Sequence, residues 1–149
     1  MVTFAQLIQI LMSRYKLTIE YDGTRYSGWQ MQKGCKSIQG EILDASRELF
    51  GNDNIDLYGA GRTDSGVHAI GQIAHLEAQT DLPLIKIRYG INDRLPSDIS
   101  ILNVENASPD FHARHDAVAR SYIYQIAAGE QLLAKNKCGG SKISSISTG

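Results

Sequence analysis

The sequence predicts an α+β domain of ferredoxin-like, βαββαβ type, with a mainly antiparallel sheet and two helices on one face. Three observations lead there. Residues Tyr15 to Tyr21 alternate apolar and polar, the period of a half-buried strand. Two stretches repeat apolar residues at helical spacing, one after the first strand and one after the third. The full order reads strand, helix, strand, strand, helix, strand, strand, which is a split βαβ pattern. With both helices on one face, the other face of the sheet is left free, a plausible surface for RNA.

Size and composition allow this. The chain has 149 residues, 42% hydrophobic and 21% charged, which suits one domain with a proper core and excludes wholesale disorder. The formal net charge of −1 argues against a protein that grips phosphates over its whole surface, although a basic face remains compatible with it. Cys35 and Cys138 lack the spacing of a zinc or disulfide framework and read as free thiols of a reducing compartment, hence a cytoplasmic location. No apolar run is long enough to span a membrane.

Taken in order, residues 1–11 carry Phe4, Leu7, Ile8, Ile10 and Leu11 but neither a basic flank nor a small-residue cleavage site, so they are not a signal peptide. Met12-Ser13-Arg14-Tyr15 looks like a natural start. The preceding segment is read as a mis-called start or a short accessory helix, and the domain as residues 12–128. After the first strand, Asp22-Gly23 breaks the pattern. Thr24 to Lys36 is a polar loop interleaving Arg25, Tyr26, Trp29 and Lys33, a mixture suited to phosphates and unstacked bases. Trp29 reads equally well as a core residue at the domain edge. Ser37 caps a helix whose apolar positions are Ile38, Ile42, Leu43, Leu49 and Phe50, and Gly51 stops it. Gln39 is read as structural.

Ile55 to Tyr58 is the second strand and Ile70 to Glu77 the third. Gln72 and His75 interrupt the third strand's apolar face, and His75 is read as a structural histidine, since no further ligand stands at metal spacing. Asp81-Leu82-Pro83 starts the second helix, with Pro in its first turn; Leu84, Ile87, Ile91 and Leu95 form its apolar face and Pro96 ends it. Ile99 to Val104 is the fourth strand, Phe111-His112-Ala113-Arg114 a loop, and Val118 to Ala127 the fifth strand. From about Gly129 the chain turns small and polar and reads as a disordered tail over 129–149.

Between the second and third strands lies Gly59-Ala60-Gly61-Arg62-Thr63-Asp64-Ser65-Gly66-Val67-His68-Ala69. Glycine allows a tight loop and close approach of a ligand to the backbone. A carboxylate there can serve as nucleophile, base or metal ligand, and Arg62 can hold Asp64 ionised. On composition alone, a solvated turn fits equally well.

The wording of this loop, continued by Gly71-Gln72 and His75, resembles the active-site motif of the TruA family of tRNA pseudouridine synthases. Tyr26-Ser27-Gly28-Trp29-Gln30, His112-Ala113-Arg114 and Ala119-Arg120-Ser121-Tyr122-Ile123-Tyr124 extend the likeness from about Tyr15 to Ile126. The resemblance implies isomerisation of uridine to pseudouridine in the anticodon stem-loop of tRNA. It implies Asp64 as catalytic nucleophile, Arg62 as its partner and Tyr122 as the ring lying against the target base. Arg25, Lys33, His112 and Arg114 are candidates for phosphate contact. The reaction needs no cofactor and no metal. Family members continue into a second domain of similar size that completes the cleft, and they are homodimers. Here that half is replaced by the polar tail, so a non-catalytic RNA-binding remnant of the family is the alternative. A carboxylate-dependent metal phosphotransferase would need an acidic cluster, and only Asp53 and Asp56 stand near in sequence.

Overall fold

The computed structural model describes residues 1–124 and 145–148. The elements run α1 (Phe4–Leu11), β1 (Ser13–Tyr21), α2 (Ile38–Phe50), β2 (Asp56–Gly59), β3 (His68–Ala78), α3 (Leu84–Asn92), β4 (Ile99–Ala107), β5 (Ser121–Tyr124) and β6 (Ser145–Thr148). The sheet order is β4-β1-β3-β6-β5, with β2 also paired to β3. The β1–β3, β1–β4, β2–β3 and β5–β6 pairs are antiparallel, and β3–β6 is parallel. Strands β4, β1, β3 and β2 thus give the ferredoxin-like order, and the predicted α+β class holds.

The outer edge of β3 is divided between two partners. Residues 74–77 pair with β2, while residues in the range 68–71 pair with β6. The Asp64 loop leaves the sheet where β2 stops.

The alternation read in the sequence fixes β1. Tyr15, Leu17, Ile19 and Tyr21 are buried, and with Ile38, Ile42, Ile87 and Ile91 of the two helices they form one core. Ser37 caps α2 by accepting from the Gly40 amide at 3.1 Å, and Gly51 closes it in the left-handed region at φ 64°. Gly90 lets α3 close onto α2, since a Cβ there would lie 2.5 Å from a Leu49 methyl. Pro83 is the residue before the first turn of α3 rather than inside it, at φ −65° and ψ 152°.

Three expectations change. The face opposite the helices is covered around His75, while Thr18, Glu20 and Ile73 on it stay half exposed or exposed. His75 is paired with Lys16 across β1–β3, and the segment after β4 crosses there: the Ala113 amide donates to His75 Nδ1 at 3.0 Å, and the Phe111 ring meets His75 edge-on at 6.2 Å. The fifth strand begins at Ser121 rather than Val118, and its expected continuation past Tyr124 lies outside the described residues. Cys35, in the turn bridged between Gln32 and Cys35, is disulfide-bonded rather than a free thiol, and Cys138 lies outside the described residues. The expected tail over 129–149 also lies outside them, apart from the strand residues of β6. No described helix is long and apolar enough to cross a membrane.

Candidate active site

The loop after β2 is held almost residue by residue. The Ala60 amide makes a last sheet-like bond to the Ile73 carbonyl at 2.7 Å. The chain then departs, and two side chains take the next two carbonyls: Arg120 Nε donates to Ala60 O at 2.9 Å and Gln72 Nε2 to Gly61 O at 2.6 Å. Thr63 is buried; its hydroxyl meets the Tyr21 hydroxyl at 2.7 Å and its carbonyl accepts from the Trp29 amide at 2.9 Å. Ser65 is buried and donates to the Tyr26 carbonyl at 3.2 Å. The Val67 amide bonds to the Asp64 carbonyl at 3.1 Å and closes the turn, with Gly66 at φ 80°.

These contacts create an alternation. Thr63, Ser65 and Val67 face inward, and Arg62 and Asp64 are exposed between them. Burial thus alternates along the loop, and both charged residues are solvent-exposed. Glycine makes the seat beneath them. Gly28 has φ 104°, and a Cβ there would lie 2.5 Å from the Thr63 carbonyl oxygen. Burial pushes the Tyr21 hydroxyl up to about 12, opposed by its bond to Thr63, so the hydroxyl stays protonated and able to donate.

Two clefts flank the loop and share Gly61. The first, about 170 Å³, lies between the loop and the 111–122 segment and is lined by Thr63, Gln72, Phe111 and Tyr122 among others. Tyr122 is half exposed, and its hydroxyl lies 3.7 Å from where a Gly61 Cβ would stand. The second cleft, about 330 Å³, is lined by Tyr58, Arg62, His112, Arg114 and His115 among others. The structure thus brings Arg62, Tyr122, His112 and Arg114 around one loop. Asp64 stands exposed on that loop and is not among the residues lining either cleft. Arg25 lies elsewhere, paired with Asp98 at 2.7 Å, and this partner raises its pKa. Lys33 is exposed in the Gln32–Cys35 turn. Neither lines the two clefts.

Histidines organise the floor. His75 is 1% exposed, and burial lowers its pKa to about 4, helped by the nearby Arg14 and His112 charges. It stacks on Tyr58 at 4.9 Å and lies 4.6 Å from the His112 ring. His112 Nδ1 accepts from the Arg114 and His115 amides at 3.2 and 3.4 Å, which folds the turn that presents Arg114. Desolvation, with His115 close by, also lowers the His112 pKa. Both imidazoles therefore act as neutral acceptors near neutral pH. Among the described residues, no group of three or more His, Cys, Asp or Glu is placed to hold a metal ion.

Sequence reasoning read Gln39 as structural, and it ties the Met31 amide and the Leu57 carbonyl at 2.8 and 2.7 Å. It also weighed Trp29 as core, and Trp29 is 1% exposed. It missed Arg120, His115 and the bond from Gln72 to the loop. For Arg120 the available signals were its place in the family-like run 119–124 and its position two residues before Tyr122.

A family model for tRNA pseudouridine synthase matches residues 17–116. The chain is 47% identical over 115 residues to tRNA pseudouridine synthase A of Ruminiclostridium cellulolyticum, covering 77% of this chain and 46% of the relative. It is 46% identical over 117 residues to tRNA pseudouridine synthase A of Rhodopseudomonas palustris, covering 78% and 47%. With tRNA pseudouridine synthase A of Streptococcus agalactiae the identity is 40% over 118 residues, covering 79% and 46%. The chain spans about half the length of the curated relatives it matches.

Proposed function

This chain belongs to the tRNA pseudouridine synthase family, and from that premise we propose that it isomerises uridine to pseudouridine in the anticodon stem-loop of tRNA, with Asp64 as the nucleophile. In this reaction the bond from N1 to C1′ breaks, the uracil turns, and C5 joins C1′. N1 gains a proton and C5 loses one, so the product is an isomer and neither redox cofactor nor metal is called for. The target base must leave its stack to reach a pocket.

The observation that supports the proposal is the loop itself, which leaves Arg62 and Asp64 exposed while its backbone is fixed beneath them. In this reading Arg62 pairs with Asp64 and occupies space vacated by the flipped base. Tyr122 stacks on the base from the first cleft. Arg114 and His112, in the second, meet phosphate, and Lys33 reaches phosphate farther along. Arg25 is committed to Asp98 and is assigned a structural part. The same premise extends to a cytoplasmic homodimer.

The test is pseudouridine formation on an unmodified tRNA transcript, mapped by position, with Asp64→Asn beside the unaltered chain. Modification of the anticodon arm that disappears in the variant, with tRNA affinity kept within about tenfold, supports the assignment, because the change removes a nucleophile and little contact area. Normal turnover by Asp64→Asn overturns it. Because the chain covers 46% of its relative's length, a second reading is a non-catalytic RNA-binding module. tRNA binding without turnover by the unaltered chain selects that reading.

A further inference from the structure

We propose that Arg120 is a positioning residue that sets Tyr122 and Arg114 in register with the Asp64 loop; the proposal rests on the catalytic reading above.

Its side chain joins three parts of the site. Nε donates to the Ala60 carbonyl at 2.9 Å, two residues before Arg62. Nη2 donates to the Arg114 carbonyl at 3.0 Å, in the neighbouring turn. Its own backbone immediately precedes β5, so Arg120 and Tyr122, two residues apart, both reach Gly61: the Arg120 Cδ and the Tyr122 hydroxyl lie 3.6 and 3.7 Å from a Cβ placed there. Among the described residues, strand β5 pairs with β6, which in turn pairs with β3. Where Tyr122 stands over the Asp64 loop is therefore set locally, and Arg120 supplies two hydrogen bonds at that junction.

The chemistry of the side chain fits this task. A guanidinium is planar and offers donors on separate nitrogens in a fixed fork, whereas lysine offers a single point charge on a flexible stem. Two of its nitrogens are spent on protein carbonyls, a geometry suited to joining loops rather than gripping phosphate. Gln72 complements it. Buried to 3% exposure, Gln72 holds the Gly61 carbonyl, so successive carbonyls entering Arg62 are each fixed by one side-chain donor. A displacement of about 1 Å at reacting groups can cost roughly a hundredfold in rate, and a loop released at Ala60 is free to move on that scale.

The experiment has two arms on the full chain. In the first, amide hydrogen exchange of the unaltered chain is compared with Arg120→Ala and Arg120→Lys, without RNA. Faster exchange confined to residues 60–66 and 111–116, with β1 and β3 unchanged, supports the clamp. Lysine, which keeps the charge and the fold, shows the same change in direction. Unchanged exchange in both segments, or a rise spread evenly over the chain, overturns the proposal. The second arm measures turnover on tRNA. Arg120→Ala lowers kcat about a hundredfold with KM for tRNA within about threefold, the split expected of lost positioning. A raised KM with kcat intact makes Arg120 a phosphate contact and overturns the proposal. If the unaltered chain turns over no tRNA, the catalytic reading fails by itself, and the exchange arm still decides whether Arg120 joins the two segments.

Discussion

His75 shows how one side chain can carry both fold and pH response. Its Nδ1 accepts from the Ala113 amide, which requires the neutral imidazole. Burial first, then Arg14 and His112, lower its pKa from 6.5 to about 4, while Glu77 lies 3.9 Å from Nε2. A lowered pKa means that, as pH falls below 6.5, the unfolded chain takes up the proton before the folded one does. The stabilisation is thus fully present above pH 6.5 and is lost between 6.5 and about 4, by on the order of 3 kcal/mol. Urea melts at pH 7 and pH 4.5 check this: His75→Phe, which keeps the stack on Tyr58, flattens the dependence across that window. An unchanged slope in the variant assigns the acid sensitivity to other groups. At this scale sequence gave part of the answer. A histidine in an apolar strand reads as structural, but nothing in the pattern says that its acceptor is spent on residue 113. Arg120 was hidden for the same reason: its partner carbonyl is 60 residues away, and hydrogen bonds between distant segments leave no periodicity.

At the scale of elements, strands β1 to β4 and helices α2 and α3 were legible because each buries one face, and burial writes a period of 2 or 3.6 into the sequence. The 108–120 segment has no such period. It is held by side chain–backbone bonds to His75, His112 and Asp116 rather than by a repeated apolar stripe, so its course over the sheet could not be read. The Asp64 loop lay between the two cases: its glycines signalled a turn, while its inward and outward sides emerged only from its seat on residues 26–29. Gly28→Ala tests that seat. The residue has φ 104° and a Cβ would meet the Thr63 carbonyl oxygen at 2.5 Å, so the variant is destabilised by more than about 1 kcal/mol. It also loses turnover beyond what its stability explains, since Thr63 must shift and Asp64 with it. Thermal melts beside single-turnover rates separate the two effects, and wild-type behaviour in both would show that the loop tolerates another seat.

For the whole molecule, the net charge of −1 limits how tRNA can be held. Several of its cations are already paired: Arg14 with Glu77, Arg25 with Asp98, Lys16 with Glu105 and Lys36 with Glu41. Affinity for tRNA should then weaken with salt as expected for about two to four phosphate contacts. A titration of binding against ionic strength measures the slope, and a value corresponding to eight or more contacts would reveal a basic face that these pairings hide. A shallow slope would make the shape of the RNA, rather than charge, the main determinant of the proposed recognition.

The packing of Trp29 also makes the protein its own spectroscopic probe. It is the lone tryptophan of the chain, its indole lies against Gly59 and 6.2 Å from the Tyr21 ring, and its amide is bonded to Thr63. Emission from this buried indole is expected to be blue-shifted, and lifting of the loop would admit water and redden it. Movement of the loop can therefore be followed by light, in real time, with no label attached.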